Sequence, residues 1–167
     1  MKKHKVLFVC TGNICRSPAA DGILRHKLRE KGLDAFVETD SVGTHRYHIG
    51  EPPTPTGLKL AAKRGYDYSD LRARQLSARD FETFDMILAM DFAHREIIHE
   101  KCPPEYQSKI KMFLDYSQLD TKEVQDPYYG GPQDYEDMLD VIETGVSHLV
   151  KHLETQINDI KTGTSSE

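Results

Sequence analysis

The apolar run Val6-Leu7-Phe8-Val9 ends on the octet Cys10-Thr11-Gly12-Asn13-Ile14-Cys15-Arg16-Ser17, and Pro18 opens a helical pattern directly behind it. A short apolar run bounded by turn chemistry predicts a buried strand over 5–9. Ser17 suits an N-cap and Pro18 the first helical position, so a helix is predicted over 18–31. Ala19, Ile23, Leu24 and Leu28 give it an apolar stripe, and Gly32 stops it.

The same alternation continues down the chain. A second strand is expected at about 35–42, a turn-rich loop over 43–56 and a helix over 56–64 ending near Gly65. Phe84 to Met90 reads as a strand, 92–99 as a helix and 110–114 as a fourth strand, with Pro103-Pro104 breaking the chain between the last two. A second loop with functional character spans Asp126 to Pro132. It precedes a long helix from Tyr135 to about Ile160 carrying Met138, Leu139, Ile142, Val146, Leu149, Leu153 and Ile157. Acidic residues from Asp134 to Asp140 suit the N-terminal end of that helix and its dipole.

Strands alternating with helices predict an α/β fold: one four-stranded parallel twisted sheet with helices on both faces. Such sheets bind ligands beyond the carboxyl ends of their strands, which is where the octet begins. The chain has 167 residues, which suits one domain, taken as 1–160 with a flexible tail over 161–167.

A net charge of −5 supplies no basic field, so nucleic acid is not an expected partner. No run approaches the ~18 apolar residues of a membrane span, and the four apolar residues before Cys10 are too few for a signal peptide. The three cysteines are then reduced thiols, and the expected compartment is cytoplasmic. Eight histidines include the pair His148 and His152, but no paired ligand motif accompanies them; neither metal nor cofactor is expected.

Each octet residue has a physical task available. Backbone N–H groups of a loop running into a helix N-terminus converge on an anion, and the same field favours thiolate over thiol at Cys10. Gly12 and Asn13 tolerate the positive φ of a tight cradle. Arg16 offers a planar fork for two phosphate oxygens, and the Ser17 hydroxyl can donate to the thiolate. Thr11, Ile14 and Cys15 complete the phosphate-binding loop. A nucleophile at the base of a phosphate cradle points to ester hydrolysis through a cysteinyl-phosphate. An aryl leaving group in such a reaction calls for a carboxylic acid nearby.

The run Val-Leu-Phe-Val-Cys-Thr-Gly-Asn-Ile-Cys-Arg-Ser-Pro resembles the signature of the low-molecular-weight protein tyrosine phosphatases. Further matches follow in order over about residues 5–155: Asp40-Ser41 with Thr44, Ile49-Gly50, Pro52-Pro53, Ala73-Arg74-Gln75, Phe84-Asp85, Met90-Asp91 and Asp126-Pro127-Tyr128-Tyr129-Gly130. The resemblance implies the flavodoxin-like fold of that family and a hydrolase acting on phosphotyrosine. It makes Cys10, Arg16 and Asp126 catalytic, with Asp126 as general acid and then base. It places Tyr47, Tyr128 and Tyr129 on the walls of the cleft and has Ser41 hold Asn13. It also implies that Cys15 can trap an oxidised Cys10 as a disulfide. Tyrosine-phosphorylated proteins would be the partners, and phosphate or another oxyanion the product or inhibitor.

Two positions depart from, or refine, the pattern. A histidine usually helps to hold the loop asparagine; Leu71 stands there, so a looser loop is expected unless His45 or His48 substitutes. A related branch that hydrolyses phosphoarginine carries threonine at the position of Ile14, so the β-branched apolar Ile14 favours an aryl ester, while Thr11 points weakly the other way. A protein arginine phosphatase is therefore the alternative. An arsenate reductase would need further redox cysteines, and a non-catalytic phosphotyrosine-binding module would not need Cys10, Arg16 and Asp126 together.

Overall fold

The computed structural model describes residues 2–162. Strands β1 (His4–Cys10), β2 (Val37–Gly43), β3 (Met86–Ala89) and β4 (Ile110–Met112) form one parallel sheet in the order β2-β1-β3-β4. The apolar run of β1 is explained by its central place. Val6 and Phe8 face one apolar layer, Leu7 and Val9 the other, and all four are fully buried. Helices α1 (Arg16–Glu30), α2 (Pro55–Lys63) and α5 (Pro132–Thr162) cover the first face; α3 (Ala78–Thr83) and α4 (Phe92–Lys101) cover the second. Phe8 meets Phe113 edge to face at 5.5 Å beneath α5. Fully burying one such side chain contributes roughly 1.5–3 kcal/mol.

The chain leaves β1 for β2 on one side and then crosses to β3 on the other. The strand order therefore reverses beside β1, and the crevice at that switch opens where Cys10 ends the strand. The parallel four-stranded sheet covered on both faces is the architecture expected from the sequence.

Several local expectations need correction. Helix α1 begins at Arg16 with Cys15 as its N-cap, and Ser17 lies inside the first turn. Its hydroxyl is engaged by the loop, as described below, and caps nothing. Gly32 does end this helix, at φ 68°, with the Leu33 N–H reaching back to the Leu28 carbonyl at 2.8 Å. Helix α3 was not read from the sequence; Phe84 is its C-cap, which shortens β3 to Met86–Ala89. Strand β4 stops at Met112 because the Asp115 carboxylate accepts from the Met112 N–H at 3.1 Å and the chain winds into a 3₁₀ turn over Phe113–Tyr116. A second 3₁₀ segment, Pro104–Lys109, follows the Pro103-Pro104 break. Helix α5 runs from Pro132 to Thr162, so residues 161 and 162 of the expected tail are helical; 163–167 lie outside the described residues.

Candidate active site

Between β1 and α1 the octet folds into a loop around a cleft of about 150 Å³. Its floor is Cys10, Thr11, Gly12, Ile14, Cys15 and Arg16; its walls are Tyr47, His48, Asp126, Tyr128 and Tyr129. Asn13, Ser17 and Ser41 are absent from this lining because they lie beneath it, each at most 4% exposed.

The loop is held from below. Asn13 has the left-handed backbone, φ 60°, that a side-chain amide tolerates better than most. Its Nδ2 donates to Ser17 Oγ at 2.8 Å and to Ser41 Oγ at 2.9 Å, while its Oδ1 accepts from the Arg74 N–H at 3.0 Å. The looser loop expected from Leu71 is thus overturned. A backbone N–H supplies what a histidine was expected to supply, and Arg74 is itself anchored to Asp40 at 2.9 Å and Asp80 at 3.0 Å. Neither His45 nor His48 substitutes, since their Nδ1 atoms pair with Thr44 Oγ1 and Glu51 Oε2, both at 2.8 Å.

Gly12 earns its place differently from expectation. Its φ is not positive; instead a Cβ there would stand 2.8 Å from the ring of His48. His48 thereby roofs the loop and bridges it to Tyr128, with ring centroids 5.8 Å apart. Sequence reading missed His48 as a wall residue.

Cys10 is buried at the base of the cradle, and its Sγ lies 3.0 Å from Ser17 Oγ. Asn13 donates to that oxygen, so the Ser17 proton goes to an acceptor: the Cys10 sulfur at 3.0 Å, the arrangement that suits a thiolate, or the Val42 carbonyl at the longer 3.4 Å.

Arg16 is 3% exposed, and its fork is divided between support and site. Nη1 donates to Asp91 Oδ2 at 2.9 Å and to the Val124 carbonyl at 3.0 Å. Nε is buried with no partner. An unsatisfied guanidinium N–H at the phosphate loop is a donor that an oxyanion would satisfy. Burial alone would raise the Asp91 carboxyl; the His94 N–H, the His94 ring and Arg16 together hold it below the usual range. Asp91 is also the N-cap of α4, accepting from the His94 N–H at 2.9 Å.

Asp126 uses its two oxygens separately. Oδ1 accepts from the Tyr128 N–H at 3.0 Å and forms the turn that Asp-Pro suggests. Oδ2 faces Arg16 Nη2 at 3.7 Å, with the side chain 46% exposed at the cleft. Tyr47 stacks on His45 at 5.0 Å, and Tyr128 meets Tyr129 edge to face at 4.8 Å. The Cys15 thiol contacts Tyr135 Oη at 3.7 Å and Thr54 Oγ1 at 3.9 Å; burial pushes it up to about 11, which makes it a poor nucleophile at neutral pH. Ile14 lies at the floor of the cleft, 7% exposed. Among the described residues no group of three or more His, Cys, Asp or Glu side chains is arranged to hold a metal ion.

The family model for low molecular weight phosphotyrosine protein phosphatases matches residues 5–159. The chain belongs to that family. It is 37% identical over 152 residues to the low molecular weight protein-tyrosine-phosphatase YfkJ of Bacillus subtilis, an alignment covering 90% of this chain and 96% of YfkJ. A crystal structure of a protein tyrosine phosphatase from Entamoeba histolytica superposes with a TM-score of 0.88 at 36% identity, covering 92% of this chain and 98% of that one. The YwlE arginine phosphatase of Bacillus subtilis superposes at 0.81 with 27% identity, over 90% of this chain and 95% of its own. Both substrate classes thus occur on this scaffold, and the family fold is the one the sequence resemblance implied. No helix among the described residues is long and apolar enough to cross a membrane.

Proposed function

We propose that the chain is a protein tyrosine phosphatase in which Cys10, Arg16 and Asp126 carry the reaction. The Cys10 thiolate attacks phosphorus, the bond to the tyrosine oxygen breaks, and Asp126 gives that oxygen its proton. The products of this half are tyrosine and an S–P bond on Cys10. Asp126, now a carboxylate, takes a proton from water as the water attacks phosphorus; the S–P bond breaks, and thiolate and inorganic phosphate are released. Arg16 Nε and Nη2 hold two equatorial oxygens through both steps, and loop amides hold the rest. Ser17 stabilises sulfur whenever it leaves as thiolate.

The observation that carries this reading is the pairing of the Cys10–Ser17 contact with an unpartnered, buried Arg16 Nε in the same cradle. Tyr47 and Tyr128 both line the cleft, which suits an aromatic ring beside them. Apolar Ile14 at the floor favours an aryl ester over a guanidino group. The proposed partners are tyrosine-phosphorylated proteins, and the proposed compartment is the cytoplasm, in keeping with three free cysteines.

Steady-state hydrolysis of an aryl phosphate and of phosphoarginine, measured side by side, tests the assignment. Faster turnover of the aryl phosphate is expected. Preference for phosphoarginine would move the chain to the arginine phosphatases.

A further inference from the structure

His94 has no part in the scheme above, yet it is 2% exposed and lies against the two ends of the phosphate loop. Its Nε2 is 2.8 Å from Thr11 Oγ1 and 3.5 Å from Arg16 Nη2. Its Nδ1 stands 3.1 Å from Asp91 Oδ1, off the line of an ideal hydrogen bond. We propose that His94 is a positioning residue. Oriented by Asp91, its Nε2 accepts a hydrogen bond from Thr11 and braces the Arg16 guanidinium.

The hydrogen arithmetic selects this arrangement. A guanidinium has donors only, so the nitrogen facing it must carry a lone pair. An Nε2–H would oppose Arg16 Nη2 and leave a carboxylate facing the bare Nδ1. The tautomer with hydrogen on Nδ1 resolves both conflicts: N–H toward Asp91, lone pair toward Thr11 and Arg16. The charged groups around the ring agree with a neutral imidazole. Burial, followed by Arg16 from α1, pushes it down to about 4, against the opposite pull of Asp91 on its own helix and Asp126 in the loop before α5; His45, after β2, adds a small push in the same direction as burial.

Two consequences follow for the site, both resting on the phosphatase reading. With Nη1 fixed by Asp91 and Val124, a braced Nη2 stops the fork from swinging, so the guanidinium keeps its place in the cleft lining. The Thr11 hydroxyl, committed to His94, is not offered to a leaving group, which removes the one loop residue that pointed toward phosphoarginine.

The experiment pairs imidazole ¹⁵N NMR of the wild-type protein with kinetics of His94→Asn, Thr11→Val and the double variant on an aryl phosphate. The expected spectrum shows hydrogen on Nδ1 of His94 and a bare Nε2 at neutral pH. Each single variant should lose about tenfold or more in kcat, since small misplacement of a clamp is costly, with KM within about twofold. The double variant should be no slower than the slower single one. An imidazolium or an Nε2–H tautomer at neutral pH overturns the proposal, as do fully additive losses or wild-type kcat in His94→Asn. If the wild type itself turns over no aryl phosphate, the phosphatase reading fails instead, and the NMR result still decides the role of His94 as acceptor.

Discussion

The floor and the rim of the cleft are built on opposite principles. At the floor, Asn13, Arg16 and Ser17 are almost wholly buried, and their polar atoms, Arg16 Nε apart, are matched to partners from α1, β2, the N-cap of α4 and the loop around Arg74. At the rim, Tyr47, Tyr128 and Tyr129 are 69%, 41% and 94% exposed and lean mainly on one another and on two histidines. A left-handed Asn13 and a buried guanidinium are tolerable only where surroundings over-determine them. The rim carries no such constraint. The lesson is that this fold fixes the phosphoryl chemistry and leaves the choice of target to side chains that are cheap to change.

Damage should therefore scale with how directly a group serves the phosphoryl transfer. Cys10→Ser removes the nucleophile; no turnover should remain, while phosphate or vanadate binding, read by calorimetry, persists. Asp126→Ala should lower kcat by about 10²–10⁴-fold with little change in KM, and by less for esters with acidic leaving groups, which need no proton. Equal losses for good and poor leaving groups would remove Asp126 from the role of acid.

Next comes the support under the floor. Asn13→Gly keeps the positive φ but strips the amide, leaving Ser41 and the Arg74 N–H without their partner. A loss of about 1–3 kcal/mol in stability or in oxyanion affinity is expected from melting and titration. An Asn13→Gly protein as stable and as tight-binding as wild type would mean that the network is ornamental.

Rim changes should be gentler. Tyr128→Ala and Tyr47→Ala should raise KM several-fold for a phosphotyrosine peptide, each corresponding to about 0.5–1.5 kcal/mol of aromatic contact, and leave kcat on a small aryl phosphate near wild type. Tyr129→Ala should do least. A large kcat effect from any of the three would erase the distinction between floor and rim.

The smallest effect on activity belongs to Asp21, which lies under the same network on α1. Burial first, and the nearby Asp40 charge second, push its carboxyl up to about 7. The folded state then holds a proton that the unfolded chain releases near pH 4. Its contribution to stability is present below that pH and is lost as pH rises to about 7, at up to about 1.4 kcal/mol per pH unit. Denaturant titrations across this range should show that decline in the wild type and a flatter profile in Asp21→Asn. Parallel profiles would place the proton elsewhere.

How much of this was legible in the sequence depends on where each partner lies along the chain. The β1–loop–α1 unit could be read because its apolar run, turn residues and helix start are contiguous. Asp126 and the tyrosines were legible through resemblance, since nothing local separates a catalytic aspartate from a turn former; in the structure one Asp126 oxygen forms the turn and the other faces Arg16. Of the two roles the sequence offered Ser17, helix cap and partner of Cys10, only the second holds, because a sequence gives a hydroxyl but not its neighbours, here the Cys10 sulfur and the Asn13 amide. The Asn13–Arg74 bond was invisible because its donor is backbone. His94 and His48 were missed because their significance comes only from contacts with Thr11 and Gly12, which lie far from them along the chain. Helix α3 was missed because six residues make too short a period to recognise.

The proposed reaction turns on a phosphoryl group carried on Cys10. Rapid acid quench of the enzyme during aryl phosphate turnover, followed by peptide mass spectrometry and ³¹P NMR, tests it directly. A thiophosphate ester on Cys10 is expected, accumulating as phenol is released in a burst and absent in Cys10→Ser. Phosphate found on another residue, or continued turnover by Cys10→Ser, would contradict it.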